Sequence, residues 1–496
     1  MTKRELTSAV TFGKRTAEEE GPELAAYFVE TDQWRRIFEG QVDIVFGAKG
    51  SGKSAIYSLL NSRAGELSRR GITVIPAEDP RGAPVFKDLV ADPPASEAEF
   101  RGLWKLYFLC LVGARLRKAA LPSEPAHQVV GALEQAELLP EVASLRRTLR
   151  AVQDYVRAML RWESVEGGVK LDPTTGAPAF TGKITLREPA SAQRKEGFVS
   201  VDDLLQLANS ALDAAGQSIW LALDRLDVAF ADTEELEANA LKALFHVYID
   251  LTAFPTISPK VFLRSDIWNR ITKGGFREAS HITNTVEITW TPPTLLNLVV
   301  RRLLHNEAAR DFYHVTEADV LASAEEQRNL FYRVFPGQVD SGPNKPETFF
   351  WLLSRTTDGT RQTAPRELIH LLNSIRDEQS KMLEIGNVEP PGEQLFDRAA
   401  IKAGLPLVSK ARFDQTLCAE YPRLREPLLK LEGQKTQQSA ETLSVIWGIS
   451  VQDALKGADE LVEVGFFEKR GTTDQPQYWV PFLYRDALKM VQGTAE

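Results

Sequence analysis

Residues 42–60 read Val42-Asp43-Ile44-Val45-Phe46, then Gly47-Ala48-Lys49-Gly50-Ser51-Gly52-Lys53-Ser54, then Ala55-Ile56-Tyr57-Ser58-Leu59-Leu60. An apolar run, a complete G-x-x-x-x-G-K-[ST] pattern and an apolar helical start follow one another without a gap. Glycines at 47, 50 and 52 let the chain fold back so that backbone N–H groups surround a phosphate. The helix that follows aims the positive end of its dipole at the same point. In this geometry Lys53 reaches the β- and γ-phosphates and the Ser54 hydroxyl ligates Mg²⁺. Gly47, Lys49, Gly50, Ser51 and Gly52 form the cradle. The stretch implies ATP and Mg²⁺ as cofactors.

Outward from the loop, a helix is predicted over 53–70, stopped by Gly71. Further buried strands are predicted at 72–75, at 219–223 ending on Asp224, at 260–263 ending on Arg264, and at 286–290. Five short apolar strands separated by helical patterns indicate a parallel, doubly wound α/β sheet. Between the second and third strands lies an insertion read as a structural embellishment. It has a helix over 97–121, a charged helical stretch over 134–162 and a β-hairpin within 165–186. Past Pro292-Pro293 the pattern is helical, over 295–310, 325–335, 349–355 and 365–382. The last hundred residues read as a winged helix-turn-helix, with a recognition helix over 450–465 and a two-stranded ribbon. The domain organisation is therefore 1–85 (lead-in and first half of the core), 86–200 (insertion), 201–292 (second half), 293–386 (helical lid) and 387–496 (winged helix).

The chain has 496 residues, 43% hydrophobic and 26% charged, a globular composition long enough for about three domains. Two cysteines, Cys110 and Cys418, are too few for a metal cluster and suit a reducing compartment. The six histidines are scattered without ligand spacing. The start, Met-Thr-Lys-Arg-Glu-Leu-Thr, lacks a signal-peptide core, and the longest apolar run, 106–114, is far short of a membrane span. A soluble, cytoplasmic protein without membrane partners is expected. A net charge of −9 argues against a whole-surface nucleic-acid binder.

A phosphate loop needs an acidic residue at a neighbouring strand end to orient Mg²⁺ and a water. Asp224 ends its strand and fits the metal partner; Asp227, three residues on, could align the attacking water. Arg225 stands where a second acid usually follows, which argues for slow hydrolysis. Asp227 could equally cap a helix or pair with Arg225.

The set GAKGSGKSA (47–55), LALDRLD (221–227) and VFLRSDIW (261–268) resembles the AAA+/STAND branch of P-loop ATPases, in particular a bacterial group with a C-terminal winged helix. The similarity spans nearly the whole chain, including the lead-in TFGKRTAEEEGPELAAYFVET (11–31). The resemblance implies a γ-phosphate-sensing role for Arg264 and a second sensing role for Arg366, in the lid helix. Arg264 also has Asp266 as an ion-pair partner, and Arg366 can be read as a plain surface arginine. An arginine finger from a neighbouring subunit falls on Arg270, on Arg277 or on neither. The resemblance further implies a protein partner or homo-oligomer and a place in bacterial anti-phage or stress defence.

The recognition helix carries Asp453, Asp459, Glu460 and Glu463 against Lys456, and Lys469-Arg470 is the compact basic pair of the wing. DNA binding draws on several cationic phosphate contacts, so protein contact is favoured over DNA. Phe466-Phe467 and Tyr478-Trp479 could furnish an apolar docking surface, although at alternating strand positions half of them must serve the domain's own core. Three functions follow: a slowly hydrolysing switch ATPase, a nucleotide-gated DNA-binding regulator, and a scaffold that binds ATP or ADP without turnover.

Overall fold

The computed structural model describes residues 1–78, 86, 96–140, 144–163, 183–226, 234–386, 389–472 and 475–495. The chain divides into two compact units. One is Met1–Arg35, Gly47–Ala55 and Ile288–Glu496; the other is Arg36–Phe46 and Ile56–Glu287. The chain leaves the second unit for the phosphate-loop residues and returns to it nine residues later.

The Arg36–Glu287 unit is built on a five-stranded sheet of β1 (Ile44–Gly47), β2 (Ile72–Pro76), β5 (Ser218–Leu223), β6 (Ile257–Arg264) and β7 (Thr285–Glu287), in the order β2-β5-β6-β1-β7. The pairings β2–β5, β5–β6 and β1–β7 are parallel. Ile44, Val45 and Phe46 are all buried, as are Ile219 to Leu223, the unbroken burial that a parallel sheet covered on both faces demands. The chain leaves β1 towards β2, on one side, and leaves β6 towards β7, on the other. The carboxyl ends of β1 and β6 therefore flank a topological switch point, where open α/β sheets bind ligands.

A buried ion pair ties the residue before β1 to the middle of β6. Lys260 Nζ donates to Asp43 Oδ1 at 2.7 Å and to Val42 O at 2.8 Å. Tyr248 Oη and Asn284 Nδ2 donate to Asp43 Oδ2 at 3.0 and 3.1 Å. Burial pulls the Lys260 ammonium below its usual range, against Asp43, which holds it up.

The first helix of the insertion, Glu97–Ala119, is a hub and not an embellishment. It is buried from Phe100 to Leu116 on nearly every face. Trp104 Nε1 donates to Ala240 O at 2.9 Å and Tyr107 Oη to Ala77 O at 2.8 Å. A helix apolar all round must sit inside a core. Most of the expected hairpin lies outside the described residues. The short strand β3 (Ile184–Thr185) pairs in parallel with β4 (Val199–Ser200).

Three element boundaries differ from expectation. The helix over 53–70 is two helices, Lys53–Ser62 and Ala64–Arg69, because Asn61 Nδ2 and Ser62 Oγ hydrogen-bond the carbonyls of Tyr57 and Leu59 and compete with the helix backbone. The helix over 295–310 breaks at Asn306, whose side chain donates to Arg302 O, Leu303 O and Thr11 O. The fifth strand stops at Glu287.

In the other unit the lead-in is threaded through helices. Phe12 is buried, Arg302 pairs with buried Glu20 and donates to Phe12 O at 2.7 Å, and Asn373 clasps Phe12 N (3.2 Å) and Gly13 O (2.9 Å). The C-terminal sheet runs β11 (Val491–Thr494), β8 (Lys435–Ser439), β10 (Pro476–Trp479), β9 (Glu468–Gly471). Helices Ala440–Trp447 and Val451–Glu463 come between β8 and the antiparallel β9–β10 ribbon, the arrangement of a winged helix. Ser439 and Ser450 cap the two helices, and Gly448 ends the first with φ +71°. Phe466, Phe467 and Tyr478 are fully buried and serve the domain's own core, more of the four than expected, while Trp479 is half-buried. No helix among the described residues is long and apolar enough to cross a membrane.

Lys260→Met leaves Asp43 without its cation and should destabilise the protein by about 3–5 kcal/mol. The expected reading is an earlier urea transition, partly recovered in Lys260→Met with Asp43→Leu. An unchanged midpoint in the single variant would show that the pair does not hold these segments together.

Candidate phosphate-loop site

β1 delivers the chain to Gly47, and the helix Lys53–Ser62 takes it up again. Between them Gly50 has φ +81° and Gly52 φ +103°, backbone that L side chains rarely adopt. Ser51 N donates to Ala48 O at 3.2 Å, closing a tight turn. A Cβ on Gly47 would displace the Ser51 hydroxyl, so the loop packs closely on itself at the first glycine. A Cβ on Gly52 would meet nothing within 4 Å, so that glycine is required by backbone conformation alone. First-turn amides of any α-helix lack a carbonyl within their own helix, so those of Lys53 to Ile56 face the loop side.

Lys53 Nζ donates to Gly47 O at 2.9 Å and to Ala48 O at 3.0 Å, so the ammonium is held over the loop. Ser51 Oγ is buried and has no hydrogen-bond partner among the described residues. A glycine cradle, an orphaned hydroxyl and an ammonium over the loop fit a phosphate, and Ser54 at the helix start fits a hydroxyl ligand for Mg²⁺.

The loop is gripped from within its own unit. Trp290 Nε1 donates to Ser51 O at 2.8 Å, which explains why the fifth strand ends early: the residues after it turn towards the loop. A Cβ on Gly50 would lie 3.1 Å from Arg366 Cβ, 3.3 Å from Glu367 Oε2 and 3.4 Å from Ala364 Cβ. The start of the helix Pro365–Glu384 thus packs on the loop, and Arg366 is half-buried there. Lys49 pairs with Glu420.

In the sheet unit, Asp224 is buried just past the end of β5, and Arg225 after it takes φ +59°. A non-glycine residue there is locally strained, and such strain gathers at functional sites. Asp227 lies outside the described residues. Arg264 closes β6, and its guanidinium grips Asp266 through two hydrogen bonds of 3.0 and 2.7 Å. Arg270 pairs with the buried carboxylate of Glu237, and Arg277 opens a 3₁₀ turn, Arg277–His281.

The cations of the wing are engaged. Lys469 Nζ donates to Asp459 Oδ1 at 2.6 Å, and Arg470 donates to both oxygens of Glu468 at 3.0 and 2.9 Å. Arg361 shares Glu468.

Sequence reasoning missed a cavity of about 500 Å³ in the helical unit, lined among others by Thr11, Gly13, Arg15, His370, Asn373 and Gln415. It also missed Glu367 and Glu420 beside the loop. Neither carries a sequence signal, since their partners stand tens to hundreds of positions away.

No family model matches the chain, and no curated protein matches it. Four chains among solved structures match. One is the structure of the Aeropyrum pernix Orc1 protein in complex with DNA, at 12% sequence identity and a TM-score of 0.36, covering 96% of this chain and 96% of that chain. At that TM-score the likeness is loose and bears on neither ligand nor partner.

The cavity carries a pH signature. Burial, with Arg15 nearby, pushes the His370 imidazole down to about 4. Unfolded, it titrates near 6.5, so between these values the unfolded chain binds the extra proton. Stability should therefore fall as pH drops from about 6.5 towards 4. Urea unfolding at several pH values should give a shallower dependence for His370→Gln than for the wild type.

Proposed function

We propose that the chain binds ATP with Mg²⁺ on the loop 47–54 and hydrolyses it slowly, as a switch ATPase of AAA+/STAND type. The observation that carries this is the loop itself: a complete motif between a buried strand of a parallel sheet and a ten-residue helix, with left-handed Gly50 and Gly52. Lys53 neutralises the β- and γ-phosphate charge, and Ser54 holds the metal. Mg²⁺, when bound, offsets the charge that develops on the transferred phosphoryl group. Asp224 is assigned to the metal's hydration shell and Asp227 to aligning the attacking water. Arg264 and Arg366 are assigned to the γ-phosphate. For Arg264 this means exchanging Asp266 for phosphate, two anions that the guanidinium fork can grip alike. Binding without turnover, as a scaffold, is the outcome if Asp227 does not hold a water.

The winged helix is assigned to protein contact. Its recognition helix is acidic, and Lys469 and Arg470 each have a carboxylate partner, so few cations remain there to replace counterions on DNA. A homo-oligomer or a protein partner is the expected assembly, and a role in defence rests on the family resemblance alone.

Lys53→Ala should weaken Mg·ATP binding at least about a hundredfold, since charge-assisted phosphate contacts are the strong ones. Equal affinity by calorimetry would exclude the site. Asp227→Asn should keep ATP bound and slow turnover by about 10²- to 10⁴-fold, whereas Asp224→Asn should also impair Mg²⁺-dependent binding. Double-stranded DNA should not be retained at physiological salt. Tight, salt-sensitive retention that collapses in Lys469→Glu with Arg470→Glu would promote the DNA regulator instead.

A further inference from the structure

Two carboxylates from later parts of the chain stand against the phosphate loop, within one compact unit. Glu420 pairs with Lys49, and both side chains are mostly shielded, at 26% and 19% exposure for lysine and glutamate. Glu367 places Oε2 beside Gly50, where it is buried without a hydrogen-bond partner among the described residues. Its other oxygen accepts from Arg412 Nη1 at 2.9 Å.

These contacts continue into the C-terminal module. Arg412 also donates to Asp358 at 3.3 Å and to Tyr484 Oη at 3.3 Å. Gly359 N, next to Asp358, donates to Gly465 O at 2.7 Å, at the end of the helix Val451–Glu463. Glu420 ends the short helix Cys418–Glu420, which follows the π-turn Phe413–Leu417 that carries on from Arg412. A π-turn inside a helix is a frequent mark of a functional joint. The segment 413–424 is thus anchored to the loop at Glu420 and to the winged-helix module around Arg412.

A loop built to receive a polyphosphate is here held by anions. A triphosphate beside Glu420 and Glu367 meets like charge, and Lys49 cannot serve Glu420 and phosphate equally well. We propose that the Lys49–Glu420 pair, backed by Glu367 against Gly50, is an autoinhibitory latch. It holds the loop in a weakly binding state, and nucleotide entry breaks it and frees the segment 413–424. This rests on the loop being the nucleotide site. By linkage, whatever favours the released segment must favour nucleotide to the same degree. A partner that captures the winged-helix module or this segment would therefore raise ATP affinity.

The test uses the full chain. Glu420→Gln should bind Mg·ATP about tenfold more tightly than the wild type, within the usual range of allosteric coupling. In nucleotide-free protein, hydrogen exchange over 413–424 should accelerate in Glu420→Gln and in Lys49→Gln, with no further gain in the double variant. The charge swap, Lys49→Glu with Glu420→Lys, should restore slow exchange. Unchanged or weaker ATP binding in folded Glu420→Gln, or exchange that neither single variant alters, overturns the latch. No ATP binding in either the wild type or folded Glu420→Gln sinks the nucleotide assignment instead, and the exchange comparison still decides whether the pair restrains the segment.

Discussion

Left-handed backbone at Gly50 and Gly52 is the constraint on which the site depends, because amides can converge on a phosphate only when the chain doubles back at those positions. Glycine permits that conformation without holding it, and it loses more conformational freedom than any other residue when it is fixed. Here the fixing comes from residues that follow the sheet in sequence. Trp290 hydrogen-bonds Ser51 O, and the start of the helix Pro365–Glu384 occupies the space that a side chain at position 50 would need. The loop therefore takes its shape from the helical unit as much as from the strand that delivers it.

Buried charge recurs wherever separate segments must meet in one register. Lys260 in the middle of β6 holds Asp43 just before β1, Arg302 and Glu20 pin the lead-in, and Arg412 gathers Glu367, Asp358 and Tyr484. Each pair is costly to desolvate, and its net contribution to stability can be small. What such pairs supply is discrimination, since a misaligned segment leaves a charge buried and uncompensated. The Arg412 cluster differs from the other two because one of its carboxylates also faces the phosphate loop. Contacts thus run from Gly50 through Glu367 and Arg412 to Tyr484 in the C-terminal module.

The acidic winged helix follows the same logic at the surface. Its basic pair is engaged by Asp459 and Glu468, and Phe466, Phe467 and Tyr478 fill its own core.

By itself the sequence determined the local features. Five strands, the loop and the helix that follows it, and the wing were legible, because apolar period and glycine placement act over a few positions. Gly47 to Ser54 were readable for the same reason. Sequence did not reveal that the helix Glu97–Ala119 is a core element, since an all-round apolar helix reads alike whether it decorates a domain or fills it. The Arg264–Asp266 pair was open as an alternative, being two residues apart, but sequence did not reveal that Asn306 splits a helix by also bonding Thr11 O. Tertiary structure alone decided the partners of Lys49 and Gly50, because Glu420 and Glu367 stand more than three hundred positions away. No local propensity encodes a contact of that span. It exists only once two distant helices have packed and the burial of one carboxylate forces it to find a cation.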